Sequence, residues 1–572
     1  MRYTTRLLIG GVLLCALFTP LLLTTHAQDT APGFYFGLDL SYANEMDDCG
    51  AVYREDGVER DSFELFADHG ATLVRARLWH NPDWTAYSTL DDVKRTFTRA
   101  RDAGMDTLLD FHYSDNWADP GRQEIPAAWA DYDDAKLADA VYAYTYDVLQ
   151  QLYQADLTPA FVQVGNEINS GLLKEVVESD WPRDAELINA GIRAVRDFAT
   201  ETATDPRIIL HVAQPENTNW WFTQAEAHGV TDFDIIGLSY YPQWSSFSVA
   251  DTGAHIAYLR QRFGKDVMVV ETAYGWTRDA VDETADNILN QGVRGYPFSP
   301  DGQRRFMTDL TQSLISNGAI GVVYWEPAWV STSCSTRWGQ GSHWENATFF
   351  DFQNDNELLE GVDFLSHPYW YPDDPADGLV DDAYGSPLVA DATADVLDDV
   401  SALDLSDLYV MDTGDAVSFA ITIAGDVSAK EGNFLFYFDT THDEHGADSD
   451  PGRRPITVAD PFRPEFRLDV NVQTTQGITA SSVTLNAWID GEWDELAFTG
   501  NVAVVAGDTS VIELQFPRTM LSDFESLYIG VTSTDRARAH TAGDVLGTPS
   551  VLADWDVALV LGDFFEVGSA QE

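Results

Sequence analysis

Lysine is nearly missing from this chain, occurring only at Lys94, Lys136, Lys174, Lys265 and Lys430. All basic residues together number 33 against 93 acidic ones, a formal charge of −60. Such a field repels phosphate backbones and anionic bilayers, so neither nucleic acid nor a membrane surface is an expected partner. A strongly acidic substrate is disfavoured for the same reason. Beyond the first residues there is no apolar run suited to a polytopic membrane protein. No repeat period suggests a solenoid. Cysteine is scarce, with Cys15, Cys49 and Cys334 only.

What is present is aromatic and globular. Hydrophobic residues make up 45% of the chain and aromatic ones 12%, with 17 Trp. A surplus of indole suits sugar binding, because flat aromatic faces stack on pyranose C–H faces, although core filling accounts for many of them. At the N-terminus, Arg2 and Arg6 precede an uncharged, Leu-rich stretch from Leu7 to Leu23, followed by Thr25-His26-Ala27. That layout is a secretory signal over residues 1–27, with an uncleaved N-terminal anchor as the alternative. The body of the protein is therefore expected outside the cell. Cys15 falls in that segment, leaving Cys49 and Cys334 as an even pair in an oxidising compartment.

From residue 28 to 371, short apolar runs alternate with amphipathic stretches. Strand candidates lie near Phe34–Leu40, Thr72–Trp79, Thr107–His112, Phe161–Asn166, Ile208–Ala213, Ile235–Tyr240, Val267–Glu271 and Gly321–Trp325. Helical patterns such as Val58–His69, Leu90–Ala103, Asp134–Tyr153, Asp184–Glu201, Ala254–Phe263 and Gln303–Asn317 fall between them. This is the succession of a (β/α)8 barrel. A doubly wound open sheet is the main rival, but chemical residues appear at nearly every strand end rather than at one switch point. Residues 372–401 read as an Asp-, Ala-, Gly- and Pro-rich linker. From 402 to 566 period-two patterns take over, at Ala416–Ala424, Phe434–Asp439, Val483–Ile489, Ser510–Phe516 and Leu527–Val531, which predicts an all-β sandwich. A carbohydrate-binding or surface-interaction role is expected for it, with Trp488 and Trp493 as candidate stacking platforms, or at least one of them as core.

Two glutamates organise the chemistry. Glu167 in Val-Gly-Asn-Glu and Glu271 in Val-Met-Val-Val-Glu-Thr each follow a strand candidate. Barrel enzymes keep their catalytic groups at those mouths, and two carboxyls from different strands are what glycosidic cleavage requires. The other mouths carry Asp39, the period-two pair Arg75 and Arg77, Asp110 to Trp117, Asn166, His211, Tyr240 and Trp325 to Trp329. Two inward arginines demand carboxylate partners. Cys49 follows strand one and Cys334 strand eight, neighbours in a closed barrel, so a Cys49–Cys334 disulfide is geometrically reasonable.

Several of these segments are long and specific. Gly37–Glu45, Arg75–Pro82, Asp110–Gly121, Val162–Asn169, Glu271–Trp276 and Tyr324–Trp329, with Trp344-Glu345-Asn346 and Phe350-Asp351-Phe352, resemble glycoside hydrolase family 53. The resemblance spans Gly33 to Leu365 and implies a retaining endo-β-1,4-galactanase on a (β/α)8 barrel, with galactan or arabinogalactan as the polysaccharide partner, no required cofactor and action as a monomer. It implies Glu167 as acid/base and Glu271 as nucleophile, with Asn166 on the sugar 2-hydroxyl. Tyr240 and Arg77 (or Arg75) are implied to align the nucleophile, and His112, Asp115, Trp117, Trp325 and Trp329 to surround the sugar subsites. Asp39 and His211 join the candidate binding residues. Near arginine, Glu271 is expected to have a lowered pKa, and Glu167, facing that charge, a raised one. Some relatives hold a structural calcium after strand seven, where Asp279, Asp282 and Asp286 are the candidates here. The competing readings are a barrel glycosidase on another β-1,4-glycan such as mannan, and a non-catalytic glycan-binding protein.

Overall fold

The computed structural model describes residues 33–567, apart from 175–179, 283–286, 338, 373–375, 397–399, 444, 459–461, 476–477, 523, 536–541, 548–557 and 563. The signal segment and Asp286 lie outside the described residues.

Eight parallel strands close a barrel in chain order: β1 Tyr35–Asp39, β2 Leu73–Leu78, β3 Asp106–Phe111, β4 Phe161–Val164, β5 Arg207–Ala213, β6 Ile235–Ser239, β7 Asp266–Thr272 and β8 Gly321–Trp325. The intervening helices are α1 Ser62–Asp68, α2 Leu90–Asp102, α3 Asp134–Gln154, α4 Trp181–Thr202, α5 Pro215–Ala227, α6 Val249–Phe263 and α7 Pro300–Ser316. Except for α5, each starts behind an Asp, Ser or Thr side chain that accepts a first-turn amide. Such caps satisfy donors that a helix start leaves unpaired. They also explain one departure from the sequence reading. The Val58–His69 pattern is not all helix: Val58–Arg60 pairs with Tyr53–Glu55 as a hairpin, and Asp61 starts α1 only at Ser62.

Inside the barrel, Leu73, Leu108, Phe161, Ile209, Ile235, Met268, Val270 and Val323 form one apolar layer. Side chains in a strand alternate, so two residues further along β2 to β5 the same face presents Arg75, Asp110, Gln163 and His211. All four are buried. The polar mouth is thus a second layer, stacked directly on an apolar floor.

The C-terminal region is mostly strand. One sheet runs from the short strand Val389–Ala390 through β9 Leu405–Asp412 and β10 Ala416–Ile423, then β16 Ser510–Pro517 and β15 Asn501–Val505. The second runs β14 Glu492–Leu496, β13 Ile478–Ile489, β12 Phe466–Thr475, β11 Gly432–Asp439, β17 Leu527–Asp535 and β18 Ala542–Val545. Phe419, Phe436, Phe438, Leu468, Leu514 and their neighbours fill the space between the sheets.

The segment read as a linker carries local structure: Val389–Ala390 pairs with β9, and the Tyr384 hydroxyl donates to Glu513 at 2.9 Å. Trp488 and Trp493 follow the packing alternative. Both pack half-buried against a small cluster containing Leu435 and Tyr437, and the Trp493 indole donates to the Ser449 carbonyl at 2.6 Å. Barrel and sandwich meet through amides: Asn317 donates to the Gly500 carbonyl and Asn501 to the Ser316 carbonyl, each at 3.0 Å.

Candidate active site

Arg75 is the centre of the mouth. Only 1% exposed, its guanidinium meets Asp39 at 2.7 Å, Asp110 at 2.9 Å, Glu271 at 2.9 Å and the Asn166 side-chain oxygen at 2.8 Å. One cation thereby ties together β1, β3, β7 and the loop after β4. Burial opposes its charge, but the surrounding carboxylates outweigh that and keep it protonated. Asp110, although buried, is held below the usual carboxyl range by Arg75 and His112.

Glu271 reaches this centre through a defect in the sheet. Met268 and Val270 already face inward, so strict alternation would turn Glu271 away. The register between β6 and β7 slips there: Leu238 pairs with Val269, but Ser239 pairs with Glu271. The slip is a β-bulge, which re-aims one side chain without ending the strand. Glu271 then lies against Arg75 through Oε1 and accepts a hydrogen bond at Oε2 from the Tyr241 hydroxyl at 3.1 Å.

Glu167 arrives differently. Gly165 has φ +89°, where a side chain would collide with Ile168 and Leu172, and Glu167 itself sits at φ +45°. A non-glycine residue there carries backbone strain, and such residues gather at functional sites. The Ser239 hydroxyl donates to Glu167 Oε1 at 2.6 Å. Ser239 is also the register partner of Glu271, so the two carboxyls are neighbours. Glu167 is half-buried and Glu271 is 7% exposed, so both keep some access to solvent.

Electrostatics separates the pair. Burial raises Glu167, the Glu271 and Asp119 charges raise it further, and the Ser239 hydrogen bond and the Arg75 charge pull it down. Burial also raises Glu271, against the direct pull of Arg75. The expectation of a lowered Glu271 is therefore corrected. Burial, with Asp110 and Asp39 crowded on the same guanidinium, outweighs that arginine. Glu167 still lies above Glu271, so the last proton of the pair resides on Glu167.

The remaining candidates divide into groups that hold the mouth and groups that line it. Asp39 is fully buried on Arg75 and also accepts from the Ser41 hydroxyl. His112 accepts from the Ala118 amide at Nδ1, so its Nε2 donates to Asp110 at 3.0 Å. His211 contacts Asn166 and Ser239, and burial beside Arg75 keeps it neutral. Asp115 accepts amides from Asn81 and Ala127 and so fastens two loops. Asn166 donates one N–H to the Ala118 carbonyl at 2.8 Å.

Arg77 does not touch Glu271. It pairs with buried Glu326 at 2.8 Å, with its guanidinium over the rings of Tyr42 and Trp117. Trp329 is buried and stacked on Tyr42 at 3.9 Å, whereas Trp117 and Trp325 stay partly open, 5.9 Å apart. Tyr240 is a further correction: its hydroxyl donates to the Phe247 carbonyl, away from the nucleophile position, which Tyr241 serves instead. Ser239, Tyr241 and Trp244 stand at the mouth of the sixth strand in the sequence, but nothing there assigns them a role, and Gln163 carries no signal at all. Trp244 is half exposed, with its ring 5.2 Å from that of Tyr241.

The loops are pinned by a disulfide between Cys49 and Cys334. In the loop after β7, Asp282 accepts from the Ser331 hydroxyl and Asp279 from the Gln353 amide.

Comparison with known proteins agrees with this geometry. The profile of glycosyl hydrolase family 53 matches residues 35–365. An arabinogalactan endo-beta-1,4-galactanase from Cellvibrio japonicus is 51% identical over 352 residues, 60% of this chain and 93% of that protein. Arabinogalactan endo-beta-1,4-galactanase A of Emericella nidulans is 33% identical, over 57% of this chain and 93% of its own length. The solved GH53 catalytic domain of Ignisphaera aggregans superposes with a TM-score of 0.55 at 31% identity, covering 60% of this chain and 98% of that domain.

Proposed function

The chain belongs to glycosyl hydrolase family 53, and from that membership we propose that it is an endo-β-1,4-galactanase cleaving galactan and arabinogalactan by a retaining double displacement. The observation that carries the mechanistic part is the unequal support of two adjacent carboxyls. Glu271 is gripped by Arg75 and Tyr241, while Glu167 has one direct hydrogen bond, from Ser239.

In this reading Glu271 attacks the anomeric carbon as carboxylate, forming a glycosyl ester while the bond to the leaving oxygen breaks. Glu167 gives its proton to that oxygen. A water then attacks the anomeric carbon, Glu167 takes its proton, and the bond from that carbon to Glu271 breaks to release the carboxylate. Asn166 is assigned to the sugar 2-hydroxyl, and Trp117, Trp325 and Trp244 offer partly open ring faces for pyranose stacking. No cofactor enters these steps.

Export through the N-terminal signal and action as a monomer complete the proposal, supported by the Arg2/Arg6 and Leu-rich pattern of the first residues. The test is digestion of linear β-1,4-galactan beside mannan and xylan, with the anomer of the first product followed by NMR. Galactan oligosaccharides released first as the β anomer are expected. Cleavage of mannan alone, or a first product of α configuration, would refute substrate or mechanism respectively.

A further inference from the structure

Among the described residues, the sandwich buries acid where no base meets it. Asp404, leading into β9, is 2% exposed and Asp544, in β18, is 0% exposed. With half-buried Asp395, each offers one carboxylate oxygen, and the three oxygens lie within 4.8 Å of one another. Part of this cluster is built into the backbone. Asp544 accepts from the Leu405 amide at 2.7 Å and from the Val545 amide at 2.8 Å, and Asp404 Oδ2 accepts from the Ala394 amide at 2.7 Å.

The other side is unsatisfied. Asp404 Oδ1 and Asp395 Oδ1 are buried atoms with no hydrogen-bond partner among the described residues. A buried acceptor without a donor is costly, and an ionised one more so. Among the described residues, the charges acting on Asp404 are the carboxylates of Asp395 and Asp391, with no lysine or arginine to offset them. Asp391 is itself fixed by the Gly547 amide at 2.6 Å.

We propose that Asp395, Asp404 and Asp544 form a calcium site that fastens the connection between barrel and sandwich. Calcium takes hard oxygen ligands at about 2.3–2.6 Å, so its ligands can stand up to about 5 Å apart, and three oxygens all within 4.8 Å of one another are compatible with that. Magnesium is smaller, demands strict octahedral geometry and sheds its waters reluctantly, so a cluster of protein carboxylates suits it less well. Position gives the site its role. Asp404 leads into β9 in the first sheet, Asp544 belongs to the edge strand of the second, and Asp395 lies on the segment arriving from the barrel. A cation bound by all three joins both sheets to that segment. The site stands apart from the barrel mouth and from the loop after β7.

The test uses the full chain, stripped with chelator and dialysed, then melted with and without 1 mM calcium or magnesium chloride. Calcium is expected to raise Tm by about 5 °C or more, and magnesium by less than half of that. Asp404→Asn and Asp395→Asn should each abolish the calcium rise while leaving galactan hydrolysis at the wild-type rate. Asp395 is half-buried, so its variant carries the test if the other fails to fold. A wild-type Tm unmoved by calcium would overturn the proposal. So would a rise that persists in the variants, since the ion would then sit elsewhere.

Discussion

The barrel mouth and the edge of the sandwich both bury several carboxylates, and they handle the charge in opposite ways. At the mouth, Asp39, Asp110 and Glu271 converge on Arg75, and Glu326 has Arg77. Compensation there is covalently part of the chain and permanent. At the sandwich edge, Asp404 and Asp544 face, among the described residues, only other acids and backbone amides. Charge buried without a built-in partner must be met by something exchangeable, a proton or a cation. The same logic operates within the mouth. Glu167 is the carboxyl without a guanidinium on it, and it is the one poised to carry a proton. A buried acid lacking its base is thus a functional signal in both regions.

The most severe way to break the mouth is to remove the group that its arginine serves. Glu271→Ala should lower kcat/KM on galactan by about 10⁴-fold or more, with the melting curve retained. Azide should restore turnover and yield an α-galactosyl azide. An active Glu271→Ala enzyme would end the assignment. Next in size is a pair of substitutions with opposite signs. Arg75→Met strips compensation from three buried acids and should cost about 3–5 kcal/mol of stability, read by denaturant unfolding. Asp404→Asn strips an uncompensated acid and should leave the chelated protein at or above the wild-type Tm. If both destabilise alike, the contrast between the regions is false.

The fold was legible because its signals are periodic and repeated. Each barrel strand is an apolar run, most are set off by helices with side-chain caps, and all eight fall where the run is. The glutamates could be picked out by position, since each follows a strand. What could not be read was orientation. Nothing in Val267 to Thr272 announces that the strand bulges, and without the bulge Glu271 would turn out of the barrel. Tyr240 and Tyr241 are adjacent and identical in type, so the sequence could not say which ring reaches the nucleophile. The direction of the Glu271 pKa was missed for a related reason. One nearby arginine was visible, but not that Asp39 and Asp110 share it. The sandwich cluster draws on residues 395, 404 and 544, too far apart in the chain for any spacing to reveal.

The two tyrosines offer a smaller and cleaner break. Tyr241→Phe removes the hydroxyl on Glu271 Oε2 and should lower kcat by about 10- to 100-fold with Tm little changed. Tyr240→Phe removes a bond to the Phe247 carbonyl and should cost about 1 kcal/mol of stability while sparing kcat. Kinetics and melting of both variants check the assignment, and a reversed pattern would restore Tyr240 to the site.

The smallest expected effect isolates the proton on Glu167. Glu271 must be ionised and Glu167 protonated, so kcat/KM should rise with pH through the Glu271 titration and fall through that of Glu167. Both limbs should lie above the ordinary carboxyl range, because burial raises both groups. Ser239 donates to Glu167 and favours its ionised form. Ser239→Ala should therefore move the alkaline limb to higher pH and leave the acid limb nearly in place. Stability follows the same sign. The folded chain holds this proton more tightly than the unfolded chain, so the stability it contributes is lost as pH rises through the folded value. Glu167→Gln should flatten that loss, since its amide stays neutral at every pH. An alkaline limb that stays fixed in Ser239→Ala would mean that a group other than Glu167 donates the proton.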